Sequence, residues 1–470
     1  MVADTPLRVH AIGAGIACAI LSLAVGLSAE LQMFGDGSIF AYSVAVADAW
    51  EFHWRNISGR LFSYVFVYIP AEAVVAFTGS ARAGIFAYGL LLFAAPALSL
   101  AATRTLDRTQ GRTIFVFACL SNSCLLPFVF GFPTEMAMAH ALFWPTLAAC
   151  LHAPARRRWS AAIFGLMLAL VLTHEGGVVL AAAIVAAASL HGFRTGPFGR
   201  TALVLLGALA VWSVVKILLP PDAHIAGVLG AAAFKFIAPG NLADPAFLLW
   251  ATAIAAQVAL FAVLRRPALV TGIVVGALAV YWFVFDRALL AEARYSLRTV
   301  LLVGTPILGA FAVVMMMPVE RLHTSPYARL VVPLRELLAR LDPRMLAGAL
   351  AISLLVHGVE TAKFVAGWID YKAAVQALAT GADSDPDLGD ANFVSARRIA
   401  ADANRLAWNS TTPFLSVLAT PGFDPARLVV DPEAGYFWLS CPTATRSAVR
   451  GTAIPAGARE LVRRHACLNR

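Results

Sequence analysis

The amino-acid sequence predicts an all-α polytopic membrane protein with about 11 transmembrane helices, interfacial helices in the first external loop, and a small α/β C-terminal periplasmic domain. Two compositional observations and one pattern lead there. Of 470 residues 60% are hydrophobic, and the mean hydropathy is +0.76. Charged residues make up 13%, about half the share of roughly 25% usual for globular proteins. Apolar stretches of membrane length recur along the chain, separated by short clusters of arginine. A soluble enzyme, nucleic-acid binder, disordered chain or coiled coil would need far more charge at its surface.

The spans are expected at 9–29, 83–102, 113–131, 136–153, 159–173, 177–193, 200–219, 246–264, 267–285, 299–317 and 346–367. The first is too long for a cleavable signal peptide and runs straight into Glu30-Leu31-Gln32 with no cleavage-site pattern. Residues 61–79 are also long and apolar enough to span, but Pro70 and Glu72 fall in the middle. An acid there is expensive, about 2.5–3.5 kcal/mol on insertion scales.

Arginine placement decides how 61–79 is read. If it is an interfacial or re-entrant helix pair and does not span, the inward pieces carry 16 basic residues and the outward loops up to residue 298 carry seven. That asymmetry is the positive-inside pattern, with the N-terminus in the cytoplasm. Net charge is +9 with lysine only at 216, 235, 363 and 372. The arginines are therefore topology signals, and no nucleic-acid partner is expected. The arginine-rich, lysine-poor usage points to a GC-rich bacterium, so the membrane is a bacterial inner (cytoplasmic) membrane crossed many times.

An odd number of spans leaves the C-terminus outside. The domains are then a transmembrane unit, 1–369, containing the long external loop 30–82, and a periplasmic unit, 370–470. The latter has an acidic turn at 383–390, a helical stretch near 391–408, and strand-like runs at 427–431 and 436–440. Cys441 and Cys467 lie outside the apolar spans and are a disulfide candidate in an oxidising compartment.

Acids and histidines collect at the outward helix ends. The first loop offers Asp36, Asp48, Glu51, His53, Trp54, Arg55 and Arg60; later turns bring Glu135, then His174 with Glu175, then Asp222, His224 and Lys235, then Asp286, Glu292, Arg294, Tyr295 and Arg298. One-sided clustering of this kind marks a site at the outer membrane face. Asp36, just past the first helix, is placed to act as a base on an acceptor hydroxyl, or else to cap the next helix. Arg294 and Arg298, one helical turn apart, would clamp a lipid phosphate or anchor to headgroups. Tyr295 and Trp54 could stack on a sugar, and His174 and Glu175, as neighbours on a helix, would point apart.

This layout resembles the GT-C superfamily of integral-membrane glycosyltransferases over about residues 9–200. Asp36 stands where that family carries an acid at the start of a long first external loop, followed here by Gly37 and not by a second acid. Asn56-Ile57-Ser58-Gly59-Arg60 with 61–79 stands where the loop's flat helices lie, and Glu135 where a second acid occurs. The resemblance implies catalytic roles for Asp36 and Glu135, with the other outward residues binding substrate. It also implies a polyprenyl-phosphate-linked sugar as donor, a lipid, glycan or protein as acceptor, and membrane lipid as surroundings. No cofactor follows with certainty, and a divalent metal is left open. Two rival readings are a glycan polymerase or ligase and a transporter or flippase of lipid-linked glycan. The second is disfavoured because no internal repeat is visible and mid-helix polar residues such as Asn122 and Lys216 are scarce.

Overall fold

The computed structural model describes residues 6–50, 60–154, 156–192, 196–220, 239–286, 298–318, 323, 327–381, 391–431, 433, 441–450 and 453–468. The chain is a multi-pass membrane protein, mostly helical. Among the described residues, eight helices are long and apolar enough to cross a membrane. Seven coincide with expected spans: Pro6–Ser28, Ala81–Leu106, Phe198–Leu218, Pro245–Leu264, Pro267–Phe285, Arg298–Met316 and Pro343–Thr380. The other four expected segments are helices too, at Thr113–Cys124, Glu135–His152, Arg157–Val171 and Gly176–Gly192. Glu135–His152 is buried on nearly every side, which is why its apolar residues show no single face.

The eighth helix, Leu61–Thr78, differs from the expected pair of short helices: it is one element with a π-turn at Tyr64–Tyr68. Both of its ends are tied to other parts of the chain. At the start, the Phe62 amide donates to the Leu172 carbonyl (3.0 Å) in an inter-helix turn. At the far end the chain reverses at Gly79 and Ser80, and Arg82 then stacks over Phe423 of the C-terminal region. The costly Glu72 is satisfied by the Ala49 amide, which donates to its carboxylate at 2.6 Å.

The expected boundary near residue 370 is not a break in the chain. Pro343–Thr380 is a single helix of 38 residues, about 57 Å long, nearly twice a hydrocarbon core of about 30 Å. Hydropathy falls at Asp370-Tyr371-Lys372, but the backbone stays helical until Gly381 because its C-terminal half has partners. Trp368 donates through Nε1 to the Ala29 carbonyl (2.8 Å), Tyr371 bonds to Thr412 (3.0 Å), and Lys372 pairs with Glu30 (2.7 Å).

The C-terminal residues therefore share one apolar core with the long first loop. Phe34, Tyr42, Tyr68, Trp368, Phe414 and Val429 all belong to it. Ser447 donates to the buried Asp48 carboxylate (2.9 Å), tying the same two regions. Residues near 391–408, expected as a helix, instead begin with the strand Phe393–Ser395, which pairs in parallel with Leu428–Val430. All six strand residues are buried, and their side chains are mostly β-branched or aromatic, which suits a sheet more than a helix. Cys441 and Cys467 form a disulfide joining the two last helices. The expected turn at 383–390 and strand at 436–440 lie outside the described residues.

Candidate active site

Asp36 is placed by its neighbours in sequence. Gly35 takes a positive φ of 57°, which side chains rarely tolerate. A Cβ on Gly37 would run into the Gln32 carbonyl and the Pro133 ring. Phe34 anchors the turn from below, packing edge-on against Phe364 (5.0 Å), Trp368 (5.5 Å) and Phe132 (5.9 Å). From above, Thr411 donates through Oγ1 to the Gly35 carbonyl (2.9 Å). Gly37–Ala45 then forms a wholly buried helix with Asp36 at its N-terminal boundary. The Asp36 side chain makes no capping hydrogen bond, so the capping alternative is set aside. Its Oδ1 is enclosed and has no hydrogen-bond partner among the described residues.

Burial pushes the Asp36 carboxyl up to about 6, against the opposing pull of the Arg298 and Arg60 guanidiniums. Arg298 opens the helix Arg298–Met316 and lies over the Phe132 ring, 5.5 Å from its centroid. Arg60 stands directly before Leu61–Thr78 and is held between two carboxylates. Its Nη1 is 3.3 Å from Glu135 Oε2, and its Nε is 3.8 Å from Glu175 Oε2. Glu135 is the first residue of its helix, whose N-cap Thr134 accepts from the Met136 amide. Tyr68 donates to Glu135 Oε1 (3.4 Å), and its ring stacks on Tyr88 at 5.5 Å.

His174 and Glu175 occupy the turn between Arg157–Val171 and Gly176–Gly192, at the helix end where the expected spans leave them. That turn is tight because a Cβ on Gly177 would strike the Leu170 carbonyl. The Gly176 amide donates to His174 Nδ1 (3.0 Å), so Nδ1 is the acceptor nitrogen and the ring is neutral with its proton on Nε2. Burial, with Arg60 and Arg298 nearby, keeps it so, pulling the imidazole down to about 3. The approach of Nδ1 to Glu175 at 3.8 Å is therefore not an ion pair. Burial would raise the Glu175 carboxyl, but the surrounding groups, Arg60 foremost, hold it down to about 2. Lys216 adds its charge from the end of Phe198–Leu218, where it sits 5.4 Å above the Trp212 ring.

Of the residues expected from sequence, the structure brings together Asp36, Arg60, Glu135, His174, Glu175 and Arg298. Glu51, His53, Trp54, Arg55, Lys235, Arg294 and Tyr295 lie outside the described residues, so the pairing of Arg294 with Arg298 is not described. Sequence reasoning missed Tyr68 and Tyr88, which read as ordinary apolar-face residues. It named Lys216 only as a scarce mid-helix candidate for the disfavoured transporter reading, whereas Lys216 stands near a helix end beside the cluster. Among the described residues, no three His, Cys, Asp or Glu side chains stand together in a way that would hold a metal ion.

Chemically the cluster combines one carboxyl poised near neutrality with two guanidiniums, in a setting that removes it from bulk water. Such a carboxyl can accept a proton at physiological pH, and the cations can stabilise a developing anion. No protein-family model matches the chain, and neither a curated protein nor a solved structure matches it.

Proposed function

We propose that this protein is a membrane glycosyltransferase of the GT-C kind, acting at the periplasmic face of a bacterial inner membrane, with its N-terminus in the cytoplasm. The observation that supports the reading is the carboxyl of Asp36, raised to about 6 beside Arg60 and Arg298. In this reading Asp36 takes the proton from an acceptor hydroxyl as that oxygen attacks the anomeric carbon. The bond from that carbon to the polyprenyl phosphate breaks, its electron pair leaves on the phosphate oxygen, and the configuration inverts. Arg298 and Arg60 stabilise the departing phosphate. Glu135 and Glu175 hold Arg60 in place, acting as positioning residues, as does Tyr68 through Glu135.

The test compares envelope glycans in wild type, a deletion strain, and Asp36→Asn expressed at wild-type level. Loss of a positioned base lowers rates by about 10²–10⁴-fold, so the variant should match the deletion and lack one sugar. In membranes supplied with lipid-linked sugar, wild-type transfer should climb as pH rises through about 6, where Asp36 loses its proton. An unchanged glycan profile in Asp36→Asn sinks the mechanism. Tolerance of Asp36→Asn together with failure of Arg298→Ala would favour a polymerase or ligase instead.

A further inference from the structure

A second polar recess lies on the same side of the bundle and is built from other residues. A cleft of about 420 Å³ opens between the end of Pro6–Ser28, the start of Ala81–Leu106, the outer half of Pro343–Thr380 and the C-terminal region. Gln32, Arg82, Phe86, Lys372 and Phe423 line it. Asp36 and its partners do not.

Gln32 is 3% exposed, and its side-chain oxygen has no hydrogen-bond partner among the described residues. Leaving a buried acceptor without a donor costs free energy, so such a group is most readily explained by a ligand that supplies the proton. The backbone makes room for it at Gly89, where a Cβ would press on the Gln32 amide. Charge is arranged around the recess. Lys372 is neutralised by Glu30 at 2.7 Å, whereas Arg82 is exposed and pairs with no carboxylate among the described residues; it rests on the Phe423 ring. Phe86, one helical turn from Arg82 on the same face, is also exposed, at 52%. The cleft thus sets a cation, a buried acceptor and an exposed apolar ring side by side, just past the outer end of the first membrane helix.

We infer that this cleft seats the headgroup of an anionic, hydroxyl-bearing phospholipid. Its phosphate lies on Arg82, a headgroup hydroxyl donates to Gln32, and an acyl chain runs down over Phe86. The site stands independently of the transfer reaction proposed above. The choice of a lipid over a free phosphate ester rests on Phe86, which a soluble ligand would leave in water.

Native mass spectrometry of the delipidated full-length protein tests it, titrating phosphatidylglycerol, phosphatidylcholine or soluble glycerol phosphate. Phosphatidylglycerol should be retained in preference to phosphatidylcholine. Arg82→Gln should weaken that retention about five-fold, the worth of one cation at a membrane surface. Gln32→Leu should weaken it while leaving the melting temperature equal to or above wild type, which separates ligand loss from misfolding. Equal retention of the two lipids, or unchanged retention in both variants, overturns the site. Soluble glycerol phosphate competing as well as the lipid overturns the lipid as its occupant.

Discussion

The helix Glu135–His152 has a carboxylate cluster at each end, and the two are built in opposite ways. At the His152 end, Asp107 is fully buried and richly bonded. It accepts from the Thr109 amide (3.0 Å), the Thr109 hydroxyl (2.8 Å) and the Phe115 amide (3.0 Å), with His152 Nε2 at 3.8 Å. At the Glu135 end, Asp36 has guanidiniums nearby but an enclosed oxygen with no donor among the described residues. The first carboxylate closes the connection between two helices. The second retains an acceptor for something else. Burial alone does not distinguish these two acids; the supply of donors does.

Removing each carboxylate should break that comparison in opposite directions. Asp107→Ala leaves two amides and a hydroxyl without their acceptor, and should cost about 3 kcal/mol of stability. It would show as a lower melting temperature and lower abundance, with transfer per folded molecule unchanged. Asp36→Asn should do the reverse and stabilise. The folded protein holds the Asp36 proton up to about 6, whereas the unfolded chain releases it near 3.8. Stability contributed at this site is therefore present below about pH 4 and lost as pH rises through about 6. The Asn variant should gain up to about 3 kcal/mol at pH 7–8, and the gain should vanish below pH 4. Melting temperatures across that range check both the sign and the window. The smallest effect is expected for Arg60→Lys, which keeps the charge but cannot reach Glu135 and Glu175 together. A loss of about ten-fold in transfer, with the Asp36 pH step intact, would confirm that Glu135 and Glu175 position Arg60.

Much of the site was legible as a one-dimensional pattern. Helix ends alternate sides of a membrane, so Asp36, Glu135, His174-Glu175 and Arg298 had to fall on one side once the spans were counted. What the pattern omits is which of them meet. His174 and Glu175 were read as diverging because helical geometry was applied to them at a helix end; the turn forced by Gly177 against Leu170 puts them together. Tyr68 carried no signal because an apolar-looking helix hides the one hydroxyl aimed at Glu135.

The same division runs through the fold. Composition and apolar segment length determined that the chain is helical and crosses a membrane many times, since backbone groups in hydrocarbon must be satisfied within each segment. Charge patterning also singled out Leu61–Thr78 as unusual. Only the tertiary structure decided that this segment is one continuous helix, that the last long helix runs on to Thr380, and that the first loop and the C-terminal residues share one core. Those outcomes depend on contacts between residues hundreds of positions apart, such as Trp368 with Ala29 and Thr411 with Gly35. Local periodicity does not encode such pairings, whereas the burial of Phe34, Trp368 and Phe414 in a single apolar core does.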